Sequence, residues 1–350
     1  MSEGLRLLLL VLGGLTVVLV VVLVVVRVLT ELVERVTARR QDEVRRLLLT
    51  ALLGEADESA DALTTLRSRE GRSWRRVEEQ VFTMLPKIKG DSRELLVTLL
   101  LSRGAAYHAH ANATARSMVR RSRGAHQLGA LGQSDGVRVL LGLLEDRRFL
   151  VRRTTVRGLG QVGDPISVVP LLDAVTTDPA LTRDVIAALQ RIGPPAAPYL
   201  RRELRGVRDA LPQGRRAALV ATALGLLGDV RAADQLVEAL GAGQHPGLPA
   251  AAAEALGQIG VPAAVPALVA ALRDESEELR VSAARALGQI SDAAAVDGLV
   301  AALGSDRREA DRAAAAALLR LGASGLHALE AHPSQYAAEA LAVHRIRAAA

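Results

Sequence analysis

Side chains that could carry out chemistry are few in this chain, which has seven histidines and no cysteine. His108 and His110 form the one close histidine pair, but residues two apart on a helix do not share a face. No motif of a zinc peptidase, a P-loop nucleotide-binding protein or a serine hydrolase occurs. The sequence therefore predicts no catalytic residue, no metal site and no cofactor.

Arginine is the charged residue with the most uneven distribution. Residues 101–205 contain 16 arginines against 8 acidic residues, whereas residues 201–350 are close to neutral, with 16 against 17. The ordinary explanation of this arginine excess is solvated surface arginine. The more specific explanation is a surface that binds anionic lipid headgroups or an acidic partner. Nucleic acid is a weaker alternative, because the basic stretch has few aromatic residues to stack on bases.

These arginines lie among repeats of one sequence motif, a run of small residues ending in Ala-Leu-Gly-x-Ile-Gly or a variant of it. The leucine of each motif, here called the anchor, recurs at intervals of 30 to 35 residues. The anchors are Leu128, Leu159, Leu189, Leu224, Leu256, Leu287 and Leu318. A period of this length is typical of stacked supersecondary units.

The pattern around each anchor predicts a pair of helices. Apolar or small residues occupy positions −4, −3, 0 and +3, which form one stripe of a helix. Glycine or serine follows at +4, as expected of the left-handed turn that ends a helix. In most units a second apolar stripe at +9, +12 and +16 predicts another helix. We therefore predict an all-α solenoid of about seven helix-turn-helix units over residues 120–335.

The third unit departs from this pattern. Arg201 stands at +12, where leucine is expected, and the apolar set slips to Tyr199, Leu200 and Leu204. The fourth unit is lengthened by an insertion at residues 209–214. We therefore expect the curvature of the stack to change between these two units.

Two repeats resemble a known family. Residues 279–290, Leu-Arg-Val-Ser-Ala-Ala-Arg-Ala-Leu-Gly-Gln-Ile, resemble the first helix of a bacterial HEAT repeat, of the type also found in phycobilin lyases. Residues 151–163 are a second good match. The resemblance implies a HEAT-repeat α-solenoid and says little about activity. The chain has no His-Glu dipeptide, so it does not resemble the di-iron HEAT hydroxylases.

An uncharged, mainly aliphatic run of twenty residues, 7–26, precedes the repeats. A helix of that length rises about 30 Å, the thickness of the hydrocarbon core of a bilayer, so we predict a transmembrane helix. A cleaved signal peptide is the alternative, but its apolar run is usually shorter. Six arginines follow the run closely and only Arg6 precedes it. This asymmetry predicts a bacterial inner-membrane protein with residues 1–6 outside and the repeats in the cytoplasm.

Other segments are predicted to connect and close the array. Residues 27–53 lack glycine and proline and keep a helical apolar stripe, so they predict a stalk. Both ends of a solenoid need a cap, because an uncovered end exposes apolar surface. Divergent helical repeats at residues 54–119 and a final helix at residues 336–350 are predicted to supply these caps.

We expect the second helices to line one concave face, on which charged residues interrupt the apolar pattern, and the basic first half to add to it. The candidate binding residues are Arg138, Arg152, Arg153, Arg157, Asp173, Arg202, Arg205, Asp234, Glu238, Arg273 and Asp297. These features favour a membrane-anchored scaffold that binds a protein partner without catalysis.

The partner is suggested only by a resemblance. The chain looks like the membrane-anchored HEAT proteins of high-GC bacteria, which implies association with a membrane glycosyltransferase that makes an exported polysaccharide. One alternative is a lyase-like HEAT enzyme acting on a cofactor or a membrane substrate. Another is a protein that assembles with copies of itself through the stalk.

Overall fold

The computed structural model describes residue 27 and residues 42–206, 214–242, 247–304 and 307–349. The predicted transmembrane helix and most of the predicted stalk lie outside these residues. Within them, no helix is both long and apolar enough to cross a membrane. The chain divides into two compact units, Met1–Ala106 and Tyr107–Ala350.

The first unit consists of short helices around an aliphatic core. Its helices are α1, described over residues 42–53, α2 (Ala56–Ser68), α3 (Gly71–Met84), α4 (Asp91–Ser102) and the start of α5 (Ala105–Ala113). Leu48, Leu66 and Leu96 are fully buried in this core. Arg103 donates from Nη2 to the Arg69 carbonyl oxygen over 2.9 Å, which joins the end of α4 to the end of α2.

The second unit repeats one arrangement of two helices. The first helices of the pairs are α6 (Met118–Leu131), α8 (Phe149–Val162), α10 (Thr182–Ile192), α12 (Gly214–Leu227), α14 (Leu248–Ile259), α16 (Glu277–Ile290), α18 (Arg308–Arg320) and, unpaired, α20 (Gln335–Ala349). The second helices are α7 (Asp135–Leu143), α9 (Val168–Thr177), α11 (Ala197–Gly206), α13 (Ala233–Ala239), α15 (Val265–Ala271), α17 (Val296–Ala302) and α19 (Ala323–Ala331). Each first helix packs against the next first helix, and each second helix packs against the first helix that follows it. The prediction of an all-α solenoid is confirmed over these residues.

Each anchor leucine lies in the last turn of a first helix and is buried. The residue at +4 then takes a positive φ, 77° at Gly163 for example, and ends the helix. Ser291 is the one non-glycine residue with positive φ in the described part, at 58°. Its Oγ donates to the Gly288 carbonyl oxygen over 2.9 Å. The predicted tight turn after each first helix is therefore present.

Glycine at +1 lets successive first helices approach closely. A methyl group added at Gly160 would lie 2.6 Å from the Ala188 Cα, and one added at Gly257 would lie 2.7 Å from the Ala286 Cα. Carbon atoms in favourable contact are about 3.5–4.0 Å apart, so only a hydrogen atom fits there. The residue opposite the glycine stands just before the next anchor and is itself glycine or alanine. Small side chains on both helices thus set the spacing of the array.

The contact between the third and the fourth pair lacks this glycine and includes ion pairs. Gln190 occupies the +1 position of α10, and its side chain is exposed. Arg216 of α12 donates to Asp173 of α9, and its Nη2 donates to Glu203 Oε2 of α11 over 2.6 Å. Burial alone would lower the pKa of Arg216, but these hydrogen bonds more than compensate and raise it. The guanidinium therefore stays charged inside the junction.

The same junction explains why Arg201 occupies the +12 position, where leucine is expected. Leu200 and Leu204 of α11 are buried, so the apolar set has slipped by one position, as the sequence indicated. Arg201 turns to Asp229, whose side chain is only 9% exposed, and forms an ion pair with it. An ion pair between α11 and the turn after α12 thus stands where other units place a leucine.

A second polar link fixes the loop between α7 and α8. Arg121 donates from Nε and Nη2 to the two carboxylate oxygens of Asp146, over 2.6 and 3.1 Å. Asp146 Oδ1 also accepts from the backbone N–H of Arg148, and the Asp146 carbonyl oxygen accepts from Arg152. The hydrogen bond from Arg121 lowers the pKa of Asp146, against the opposing effect of its burial.

Replacing Gly160 by alanine should destabilise the array by about 1–3 kcal/mol, because the added methyl group overlaps the Ala188 backbone. Gly142→Ala in α7 is the matched control, since no atom lies within 4 Å of the added carbon. It should be neutral or stabilise the helix by up to about 1 kcal/mol. Thermal unfolding of the full chain in detergent, followed by circular dichroism, measures both. Equal melting temperatures for the two variants would contradict the close-packing account.

The stability of the chain should fall in acid through Asp146. Its pKa is lower in the folded chain than in the unfolded chain, so its stabilisation is complete above the unfolded value. The stabilisation disappears as the pH falls through the folded value. Asp146→Asn should therefore show a weaker dependence of melting temperature on pH between about pH 5 and pH 2. The same pH dependence in both proteins would show that this carboxylate contributes nothing.

Candidate functional site

Most of the predicted binding residues lie on separate second helices. The exposed ones on these helices are Arg138, Asp173, Arg202, Arg205, Asp234, Glu238 and Asp297. Arg273 is also exposed but lies in the turn after α15. Asp173 pairs with Arg216 in the junction described above. The structure thus distributes these residues from α7 to α17 rather than gathering them on one pair of helices.

The three predicted arginines of α8 have different surroundings. The Arg152 guanidinium donates hydrogen bonds to the carboxylate of Asp178 and to the Asp146 carbonyl oxygen. Arg153 and Arg157 instead converge on one carboxylate across the gap to α10. Their Nε atoms donate to the two Asp184 carboxylate oxygens over 2.9 and 2.8 Å. Arg152 is therefore structural, whereas the other two lie at a surface.

That surface is a groove of about 760 Å³ that crosses α6, α8 and α10. We call it the arginine groove and define it by the side chains of Arg123, His126, Arg157, Gln161, Asp184 and Arg191. They stand at −5, −2 and +2 relative to the anchors, a stripe of the first helices that the apolar pattern leaves to solvent. Of these six, only Arg157 was among the residues predicted from the sequence.

The groove carries an excess of positive charge. Three guanidinium groups, from Arg123, Arg157 and Arg191, face the single carboxylate of Asp184. All three arginines are exposed. Burial lowers the pKa of His126, so its imidazole is neutral at pH 7 and adds no charge. The groove is therefore suited to an anionic ligand.

Neutral hydrogen-bonding groups accompany these charges. The hydroxyl groups of Ser122 and Thr154, which also line the groove, lie 3.1 Å apart and share a hydrogen bond. The Oε1 atom of Gln161 is buried and accepts no hydrogen bond from any described residue. Gly158 and Ala188 line the groove as well and leave its floor free of bulky side chains. The groove thus offers a ligand hydroxyl groups as well as charge.

Two further grooves also lie on first helices. One, of about 360 Å³, runs between α16 and α18 and is lined by Arg285, Gln289 and Arg320. The other, of about 490 Å³, lies between α18 and α20 and includes Tyr336 and His344. Within the described residues, no group of three His, Asp or Glu side chains could hold a metal ion.

Comparison with known proteins concerns the repeats. A family model of HEAT repeats matches residues 111–190 and 242–320. No curated protein matches the chain. The complex of CpcE and CpcF of phycocyanin lyase from Nostoc sp. PCC7120 is a similar solved structure. It is 24% identical, covers 67% of this chain and 92% of that chain, and has a TM-score of 0.33.

Two other solved structures resemble the chain more distantly. Human deoxyhypusine hydroxylase in complex with glycerol is 20% identical, with 88% of this chain and 96% of that chain covered and a TM-score of 0.30. Kap121p is 10% identical, with 86% of this chain and 45% of that chain covered and a TM-score of 0.39. At these identities the similarity concerns the fold alone. Residues 111–190 and 242–320 thus match a family model of HEAT repeats, and these residues form stacked helix pairs.

Proposed function

We propose that this chain is a membrane-anchored scaffold whose HEAT repeats bind a protein partner at the arginine groove, without catalysis. The groove is the observation that supports this most. It spans three consecutive first helices, and its arginines are exposed rather than buried against one another. A surface built from several repeats is the usual binding surface of a solenoid.

The groups in the groove suit recognition better than proton transfer. Guanidinium groups stay protonated throughout the physiological pH range, so they bind anions and do not act as bases. Both carboxylate oxygens of Asp184 are already engaged by Arg153 and Arg157. The groove thus presents fixed charge and hydrogen-bonding groups to a ligand.

The apolar run at residues 7–26 attaches this scaffold to the membrane, with the repeats on the cytoplasmic side. Confinement to the membrane raises the effective concentration of the repeats near other membrane proteins, so a modest affinity suffices. The partner is therefore a membrane-associated protein. The resemblance to membrane-anchored HEAT proteins makes a glycosyltransferase for an exported polysaccharide the first candidate to test.

Membrane attachment should depend on the apolar run. Deleting residues 1–26 should move the chain from the membrane fraction to the supernatant, because the twenty uncharged residues that prefer the bilayer are then absent. A tag before residue 1 should be cut by external protease on spheroplasts, and a tag after residue 350 should be protected. Fractionation and immunoblotting measure both. The opposite protection pattern would overturn the proposed orientation.

Partner binding should be found at the groove. A photo-crosslinking amino acid at Ala187, an exposed residue that lines the groove, should yield one discrete adduct with another membrane-associated protein in native membranes. The same group at Ala294, exposed in the turn before α17, is the control and should yield none. Mass spectrometry identifies the adduct. Recovery of only this chain from Ala187 would favour self-assembly and contradict the scaffold proposal.

A further inference from the structure

We infer that the arginine groove binds an extended, carboxylate-rich segment of its protein partner, with Arg123, Arg157 and Arg191 pairing to carboxylates and Asp184 acting as an internal competitor. The inference rests on the proposed scaffold function and specifies the chemistry of the partner. It depends on three features of the groove: the spacing of its arginines, the ion pairs of Asp184, and the lack of large aromatic or aliphatic side chains among its described lining residues.

The spacing of the arginines matches an extended chain. α6, α8 and α10 each contribute one guanidinium, from positions −5, −2 and +2, so the row advances by about one turn per helix. Packed helices lie roughly 8–10 Å apart and one turn rises about 5 Å, which puts neighbouring arginines on the order of 10 Å apart. A peptide in the extended polyproline II conformation advances about 3.1 Å per residue and turns once every three residues, so every third side chain lies on one face and meets the next arginine.

The groove already holds a carboxylate. Asp184 receives hydrogen bonds from the Nε atoms of Arg153 and Arg157, over 2.9 and 2.8 Å. Arg123 and Arg191 form no ion pair with any described residue, so their guanidinium groups remain open to a ligand. A carboxylate can accept two parallel hydrogen bonds from a guanidinium, and Asp184 shows that a carboxylate fits against Arg157 in this groove. Asp184 therefore competes with an incoming carboxylate for Arg157.

The lining residues favour a peptide over the other polyanions. Among the described lining residues there is no Phe, Tyr or Trp side chain to stack on a base. There is also no aliphatic side chain larger than alanine to enter a bilayer. An acidic peptide is thus the polyanion that suits this lining.

The test measures binding of a fluorescein-labelled peptide with glutamate at every third residue to the full chain in phosphatidylcholine nanodiscs. Arg123→Gln with Arg191→Gln should weaken binding about tenfold at low salt, because two exposed ion pairs are lost. Arg307→Gln with Arg308→Gln removes the same charge from exposed positions outside the groove and should change the Kd less than about twofold. Asp184→Asn should tighten binding about threefold by releasing Arg157.

Two matched ligands complete the design. A peptide with glutamine in place of glutamate should bind at least about tenfold more weakly. Equal loss in both double variants, equal binding of the two peptides, or unchanged binding in the groove variant would overturn the inference. So would groove-dependent binding of phosphatidylglycerol vesicles or of an oligonucleotide in place of the peptide. If the crosslink at Ala187 succeeds while the peptide fails, the scaffold stands and the carboxylate-rich ligand does not.

Discussion

The contact between glycine at +1 and the small residue before the next anchor is the constraint on which the array depends. At Gly160 and Ala188, as at Gly257 and Ala286, there is room for hydrogen but not for a methyl group. Dispersion between the two backbones therefore replaces the side-chain contacts of an ordinary helix pair. Because this contact fixes the spacing of the first helices, it also fixes the spacing of every side chain that they present to solvent.

The junction between the third and fourth pairs lacks this glycine, and its chemistry changes accordingly. Where Gln190 replaces the glycine, Arg216 bridges Asp173 and Glu203 between neighbouring pairs. Partly buried charges lose hydration, so such a contact is favourable only when its hydrogen bonds are satisfied, as they are here by two carboxylates. The array thus adds ionic links between its third and fourth pairs without losing the alternation of first and second helices.

The same architecture lets the exposed stripe vary independently of the core. In each of the first three pairs one of the positions −5, −2 and +2 carries an arginine, whereas the fourth and fifth pairs have no arginine at any of them. None of these changes touches the anchors or the glycine contacts. A repeat array can therefore place one ligand chemistry at one end and another further along on a constant scaffold.

The sequence by itself determined the helix pairs, their order and the left-handed turns, because burial of one stripe and a positive φ leave a local signature at each anchor. It also marked Arg201 as anomalous. Three sets of ion pairs were decided only in the tertiary structure. Arg201 pairs with Asp229, and Arg216 pairs with Asp173. Arg153 and Arg157 both pair with Asp184. These contacts join residues some 27 to 43 positions apart, and the distance between two side chains on different helices depends on how closely the backbones pack. For the same reason the sequence suggested Arg157 but not the other five side chains of the groove, which come together only when α6, α8 and α10 pack side by side.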